Sequence, residues 1–137
     1  MNIYSKSKDL LGRHLTNVSS LPLMDKDGRE YVSAEHMYQS WKTGSFCHLG
    51  FRKCGGKVKG DIKLIIANSE RVMRKVLACK LRAYPELLMQ IDDLGGSRFL
   101  SRCTHYVNGR DKHWECVDGQ GAFMRALTEA YERVTNE

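Results

Sequence analysis

The chain has 137 residues, 42% of them hydrophobic and 28% charged, which fits one compact domain spanning 1–137 with a core that needs no covalent staples. No apolar run reaches the length of a membrane span, and the N-terminal MNIYSKSKDLLGRH lacks the apolar centre of a signal peptide, so a cytoplasmic protein with no membrane contact is expected. The net charge of +6, from 22 basic and 16 acidic residues, describes either a surface that attracts phosphate or a solvated basic face.

In chain order, residues 1–20 read as irregular and polar, with HLTNVSS as a loop. LPLMDKDGREYV predicts a short hairpin: Asp27-Gly28 is a strong turn dipeptide between Leu21, Leu23 and Tyr31, Val32. Ser33 can then cap a helix that carries Glu35 in its first turn and ends near Thr43-Gly44. SFCHLGFRKCGGKVKG is Gly-rich and basic and reads as a loop or lid. From Arg52 to Lys63 five basic residues stand against one acid, and Arg71, Arg74 and Lys75 follow. A short helix is expected over Asp61–Ala67. Ser69 is a second N-cap, opening a helix whose apolar face holds Val72, Met73, Val76, Leu77, Cys79 and Leu81. Pro85 starts a third helix, PELLMQIDDL, closed by Gly95-Gly96. SRFLSRCTHYV favours a strand, NGRDKHWECVDGQG a loop around Trp114, and the last helix runs from Ala122 to Val134. The expected fold class is α+β, a helix-rich single domain with a few short strands.

Five cysteines, none in a C-x-x-C pair, read as reduced thiols. Cys103 with His105 and His113 with Cys116 form the one constellation to weigh as a metal site. The C-x-H spacing is not that of the common zinc fingers, so structural roles are expected, with no metal and no cofactor. No aromatic RNA-binding motif accompanies the basic residues.

The segment SAEHMYQSWK carries two stripes. At about 100° per residue, Ala34, Met37, Tyr38 and Trp41 cluster as a core face, and Glu35, Gln39 and Lys42 share a flanking arc of roughly 60°. His36 and Ser40 fall on the other side. Glu35 and Lys42 are seven positions apart, so they bracket Gln39 and do not form the usual single-turn ion pair. The stripe is either an ordinary polar border or one wall of a cleft.

These residues also carry a resemblance. LTN followed by DGREYVSAEHMYQSWK resembles the signature of the NADAR or YbiA-like family, supplying Leu15, Asn17, Asp27, Gly28, Tyr31, Ser33, Glu35, His36, Tyr38, Gln39 and Lys42 in order. VMRKVLACKL with YPELLMQI, RDKHWE with Asp111 and Trp114, and GQGAFMRAL are similar to later family segments, so the likeness spans nearly the whole chain. Departures are Val18 for Phe, Leu81 for Phe, Arg102 for an acid and Glu115 for Gly, and the family's closing Arg has no clear match.

The resemblance implies a YbiA-like fold and N-glycosidase activity on ribose attached to an exocyclic amine. The substrates would be phosphorylated ribosylamino intermediates of riboflavin synthesis or ADP-ribosylated guanine in nucleic acid. Glu35 would stabilise positive charge at the anomeric carbon or orient water, with Asp111 as a second acid by motif. Lys42, its neutral form favoured by burial beside Trp41, would form a Schiff base with the opened sugar, bind phosphate, or pair with Asp111. Among the substrate-binding candidates, Trp114 stacks on a base or fills the core, and Asn17 bonds ribose hydroxyls or caps a turn. Gln39 orients the carboxylate, binds substrate or faces solvent. Lys80 is read as a surface residue whose stem covers apolar area, or as a phosphate contact. His36 is read as structural. The alternative is a non-catalytic module that binds ADP-ribose or nucleic acid. Some relatives are phage proteins, which extends the expected location to an infected host's cytoplasm.

Overall fold

The computed structural model describes residues 1–43, 62–117 and 121–137. The expected Gly-rich basic loop, 45–60, and the helix end at Gly44 lie outside the described residues. The elements are α1 (Leu10–Leu15), β1 (Leu23–Met24), β2 (Glu30–Tyr31), α2 (Ala34–Thr43), α3 (Ile62–Ala83), α4 (Pro85–Leu94), α5 (Ser97–Leu100) and α6 (Ala122–Thr135). This is a helix-rich α+β domain with a two-stranded antiparallel sheet. Among the described residues no helix is long and apolar enough to cross a membrane.

The longest helix organises the rest: α3 packs along α6 and α2 and also touches α4 and β1. Met73, Val76, Leu77, Ala78 and Leu81 bury its inner face against Phe123, Met124, Leu127 and Tyr131 of α6 and Ala34, Met37 and Tyr38 of α2. The chain does not start a new helix at Ser69. No glycine or proline interrupts 62–83, so one helix runs through, and Ser69 is buried and hydrogen-bonded with Tyr38.

The hairpin pairs Leu23 with Tyr31 and Met24 with Glu30. Gly28, at φ 82°, supplies the left-handed residue of the turn. Asp25 organises it: Oδ1 accepts the N–H groups of Asp27 and Arg29 at 2.9 and 3.0 Å, and Oδ2 accepts the Tyr31 hydroxyl. Ser33 then caps α2, its Oγ accepting His36 N–H at 3.1 Å. His36 reciprocates: it is buried, and its Nδ1 accepts the Val32 N–H at 3.1 Å. Gly95 and Gly96 close α4, donating to the carbonyls of Asp92 and Ile91.

Two expectations are corrected. The N-terminal region contains α1, too short for its periodicity to register. The strand expected over 97–107 is instead the one-turn helix α5 followed by two isolated bridges, Asn2 with Thr104 and His105 with Cys116. The first bridge stitches the N-terminal segment to the second half of the chain, and the second closes the loop between residues 105 and 116. Asn2 Oδ1 accepts from Thr104 Oγ1 and Tyr106 N, and its Nδ2 donates to Tyr106 O.

The close approach of α1 to the N-terminal segment depends on Gly12. A Cβ there would lie 2.4 Å from Ser7 Oγ and 2.8 Å from the Asn2 carbonyl oxygen. The serine can rotate; the carbonyl cannot move without displacing the Asn2–Thr104 bridge. Gly12→Ala is therefore expected to cost about 1–3 kcal/mol in urea unfolding although alanine is the better helix former. Unchanged or raised stability would show that the segment yields freely.

Candidate functional site

Three pieces of chain meet around a cavity of about 530 Å³: the loop after α1, one face of α2, and the segment 105–115, with Met73 of α3 and Phe123 of α6 behind them. Asn17, Glu35, Gln39, Lys42, Asp111 and Trp114 all line it. So do residues that sequence reasoning did not place there, notably Tyr38, His105, Arg110 and Glu115.

The α2 wall follows from burial on both sides of the helix. Ala34, Met37 and Tyr38 face the core, and His36 and Ser40 are buried as well, which leaves Glu35, Gln39 and Lys42 as a half-buried stripe. Glu35 is clamped. Its Oε1 accepts from Gln39 Nε2 at 2.8 Å, its Oε2 accepts from Asn17 Nδ2 at 3.1 Å, and its backbone N–H donates to the Asn17 carbonyl at 2.9 Å. Asn17 is buried; its Nδ2 also lies 3.1 Å from Met73 Sδ. The carboxylate fixes the orientation of that amide, since turning it over would set oxygen against oxygen. Its Oδ1 is buried with no hydrogen-bond partner among the described residues.

Lys42 extends over the Tyr38 ring, Nζ 5.2 Å from the centroid. Burial pushes its ammonium below the usual lysine range, against the opposing pull of Glu35. The neighbouring Trp41 donates its indole N–H to the Tyr31 hydroxyl at 3.2 Å. No ion pair joins Lys42 to Asp111. Burial also pushes the Tyr38 phenol up to about 12, an effect that Glu35 and Asp111 reinforce and the Ser69 hydrogen bond opposes.

The opposite wall is a loop built around its own acids. Asp111 Oδ1 accepts the N–H groups of His113 and Trp114 at 3.2 and 3.1 Å, folding one turn. Glu115 collects three more: Val107 and Asn108 at Oε1, Asp111 at Oε2. Burial raises the Glu115 carboxyl, but these donors outweigh it and leave it below the usual range. The departure at Glu115 thus has a structural role that glycine could not fill. The carbonyls of His113 and Trp114 accept the Ala122 and Phe123 N–H groups and cap α6. From behind, Glu70 lies 2.9 Å from Arg125 Nη2 and 3.4 Å from His113 Nε2. Trp114 is half-buried and meets Tyr38 edge-on at 5.9 Å.

His105, weighed in the sequence only as half of a metal pair, is a wall of the cavity. Its Nδ1 is 2.6 Å from the Ile3 carbonyl and its ring lies 4.2 Å from that of Phe123. Cys103 turns its thiol to the Phe99 carbonyl, and among the described residues no three His, Cys, Asp or Glu side chains group as metal ligands. The signal for His105 was unreadable locally, because its place depends on pairing with residue 3 and with Cys116.

Lys80 requires correction. It is 1% exposed, not a surface residue, and it does not line the cavity. Its Nζ donates to the Thr16 carbonyl and to Ser19 Oγ, each at 2.9 Å, so it holds the loop bearing Asn17 from behind. No family model matches the chain, and no curated protein or solved structure matches it.

Burial pushes Lys80 from 10.5 down to about 7. Between those values the unfolded chain holds a proton that the folded protein has released, so stability rises with pH across the interval and the gain is lost as pH falls through 7. Wild type is expected to gain stability relative to Lys80→Met as pH rises from about 6 to about 9.5 in urea titrations. A constant difference would contradict this account of the buried amine.

Proposed function

We propose that the protein is an N-glycosidase of the NADAR or YbiA-like kind, cleaving the bond between ribose and an exocyclic amine. The substrate would be a phosphorylated ribosylamine or ADP-ribosylated guanine. One observation supports the reading: among the residues that make the resemblance, Asn17, Glu35, Gln39, Lys42, Asp111 and Trp114 come from distant parts of the chain and line the same cavity.

The chemistry follows from the clamp. Breaking the C1′–N bond builds positive charge at C1′. Glu35, with each oxygen already accepting an N–H, offers a fixed negative charge that need not reorganise as that charge develops. Lys42 is the nucleophile in this proposal. When the sugar ring opens to the protonated imine, the neutral amine adds to C1′, one proton passes from the lysine nitrogen to the substrate nitrogen, the substrate amine leaves with the bonding pair, and water then releases the sugar from the protonated Schiff base on the lysine. The lowered ammonium of Lys42 favours the neutral form this step requires. Trp114 and Phe123 offer apolar ring surface for the departing base, and Arg110 at the rim offers a cation for phosphate.

Wild-type protein incubated with ADP-ribosylated guanine DNA and with phosphorylated ribosylamines should release ADP-ribose or ribose 5-phosphate from at least one. Glu35→Gln should lower kcat by roughly 10²–10³-fold while remaining folded by circular dichroism; full activity in that variant removes the assignment. Borohydride added during turnover should trap the sugar on Lys42, as read by peptide mass spectrometry. Activity without an adduct would replace the lysine route by direct attack of water. Binding of ADP-ribose with no product from any substrate would instead mark a binding module.

A further inference from the structure

We propose that His105 is a further catalytic residue of this cavity: its Nε2 takes a proton from the nucleophile as the bond to C1′ forms and returns it to the departing amine nitrogen. The inference rests on the glycosidase reading and adds the proton carrier which that reading lacks.

The need for one is visible in the hydrogen bonds. Glu35 accepts an N–H on each oxygen. Glu115 accepts three backbone N–H groups, and Asp111 Oδ1 accepts two. Each of these carboxylates already accepts N–H groups, and the Tyr38 phenol, pushed up to about 12, is too weak an acid to exchange its proton near neutrality. His105 is arranged differently. A backbone carbonyl can only accept, so the 2.6 Å contact with Ile3 O fixes the proton on Nδ1 and leaves the Nε2 lone pair bare. Among the described residues Nε2 has no hydrogen-bond partner. With Nδ1 turned to Ile3 and one ring face against Phe123, the Nε2 edge and the other ring face remain for the cavity that His105 lines.

The environment keeps this nitrogen basic but unprotonated. Burial pushes the imidazole below the usual histidine range, and the nearby carboxylates Glu115, Asp111 and Glu35 oppose that in part. Lys42 and Tyr38 share the cavity from α2. The Cys116 thiol sits on the paired segment, and the α6 contact is the uncharged Phe123.

The proton count closes. The nucleophile loses one hydrogen to Nε2 as it bonds to C1′; the C1′–N pair passes to nitrogen; Nε2–H supplies that nitrogen's proton; and the imidazole is restored. Water is consumed only afterwards, when it releases the sugar.

The test compares wild type, His105→Gln and His105→Ala on the amine-linked substrate that wild type cleaves. Loss of roughly 10²-fold or more in kcat is expected for both variants, with KM little changed. Nε2 must be unprotonated to accept the proton, so wild type should show an acid-side loss of kcat beyond the one set by protonation of Lys42, this extra loss should be absent from His105→Gln, and added imidazole should partly restore His105→Ala. Equal kcat and the same acid limb in His105→Gln would overturn the role of His105 while leaving the glycosidase reading intact. A wild type inactive on every substrate would overturn both. Folding of the variants is bypassed by ¹⁵N spectra of the wild-type imidazole: the Nδ1–H tautomer, with Nε2 shifted when ADP-ribose is added, is expected. An Nε2–H tautomer, or an Nε2 indifferent to ADP-ribose, would overturn the proposal.

Discussion

The cavity is held open by a lysine that never reaches it. Lys80 rises from the buried face of α3 and spends its amine on the Thr16 carbonyl and the Ser19 hydroxyl. A polar group taken out of water at that depth must be satisfied, and a short loop folded over it is what satisfies it. The same loop presents Asn17, whose backbone carbonyl accepts the Glu35 N–H and whose side-chain amide donates to the Glu35 carboxylate. Core packing of α3, position of the loop, start of α2 and aim of the acid are thus one connected set of hydrogen bonds, in which each group restricts the next.

The two walls of the cavity solve the same problem in different ways. On α2, regular helical geometry brings Glu35 and Gln39 together at a spacing of one turn, and burial of both flanks leaves their stripe with one direction to face. On the opposite wall there is no long element. Asp111 and Glu115 gather the backbone N–H groups of Val107, Asn108, Asp111, His113 and Trp114, and the ends of the segment are tied to α6 and to residue 105. Acids used this way are structural first, and what they leave to the cavity is shape and negative potential.

Much of the fold was legible because it rested on local chemistry. The Asp-Gly turn, the Ser33 cap, Pro85 at a helix start and the glycine pair after Leu94 each act within a few residues, and each appears where the pattern put it. The Glu, Gln, Lys stripe was legible for the same reason. The failures share a cause too. Ser69 looked like a cap, but an uninterrupted helix and a tyrosine partner overrode its local preference. The segment 97–107 had the composition of a strand, yet a strand needs a neighbour along its length, and only single residues found one.

Local rules acting over one or two turns settled which segments coil, where they stop and which side chains share a face; for those the sequence was sufficient. Which acid faces which amide, why Lys80 is buried, and why His105 stands in the cavity with Nδ1 occupied were decided by contacts between residues far apart in the chain. Such contacts exist only after the core has brought their backbones together, because a buried polar group selects its partner by proximity in space and not by distance along the chain.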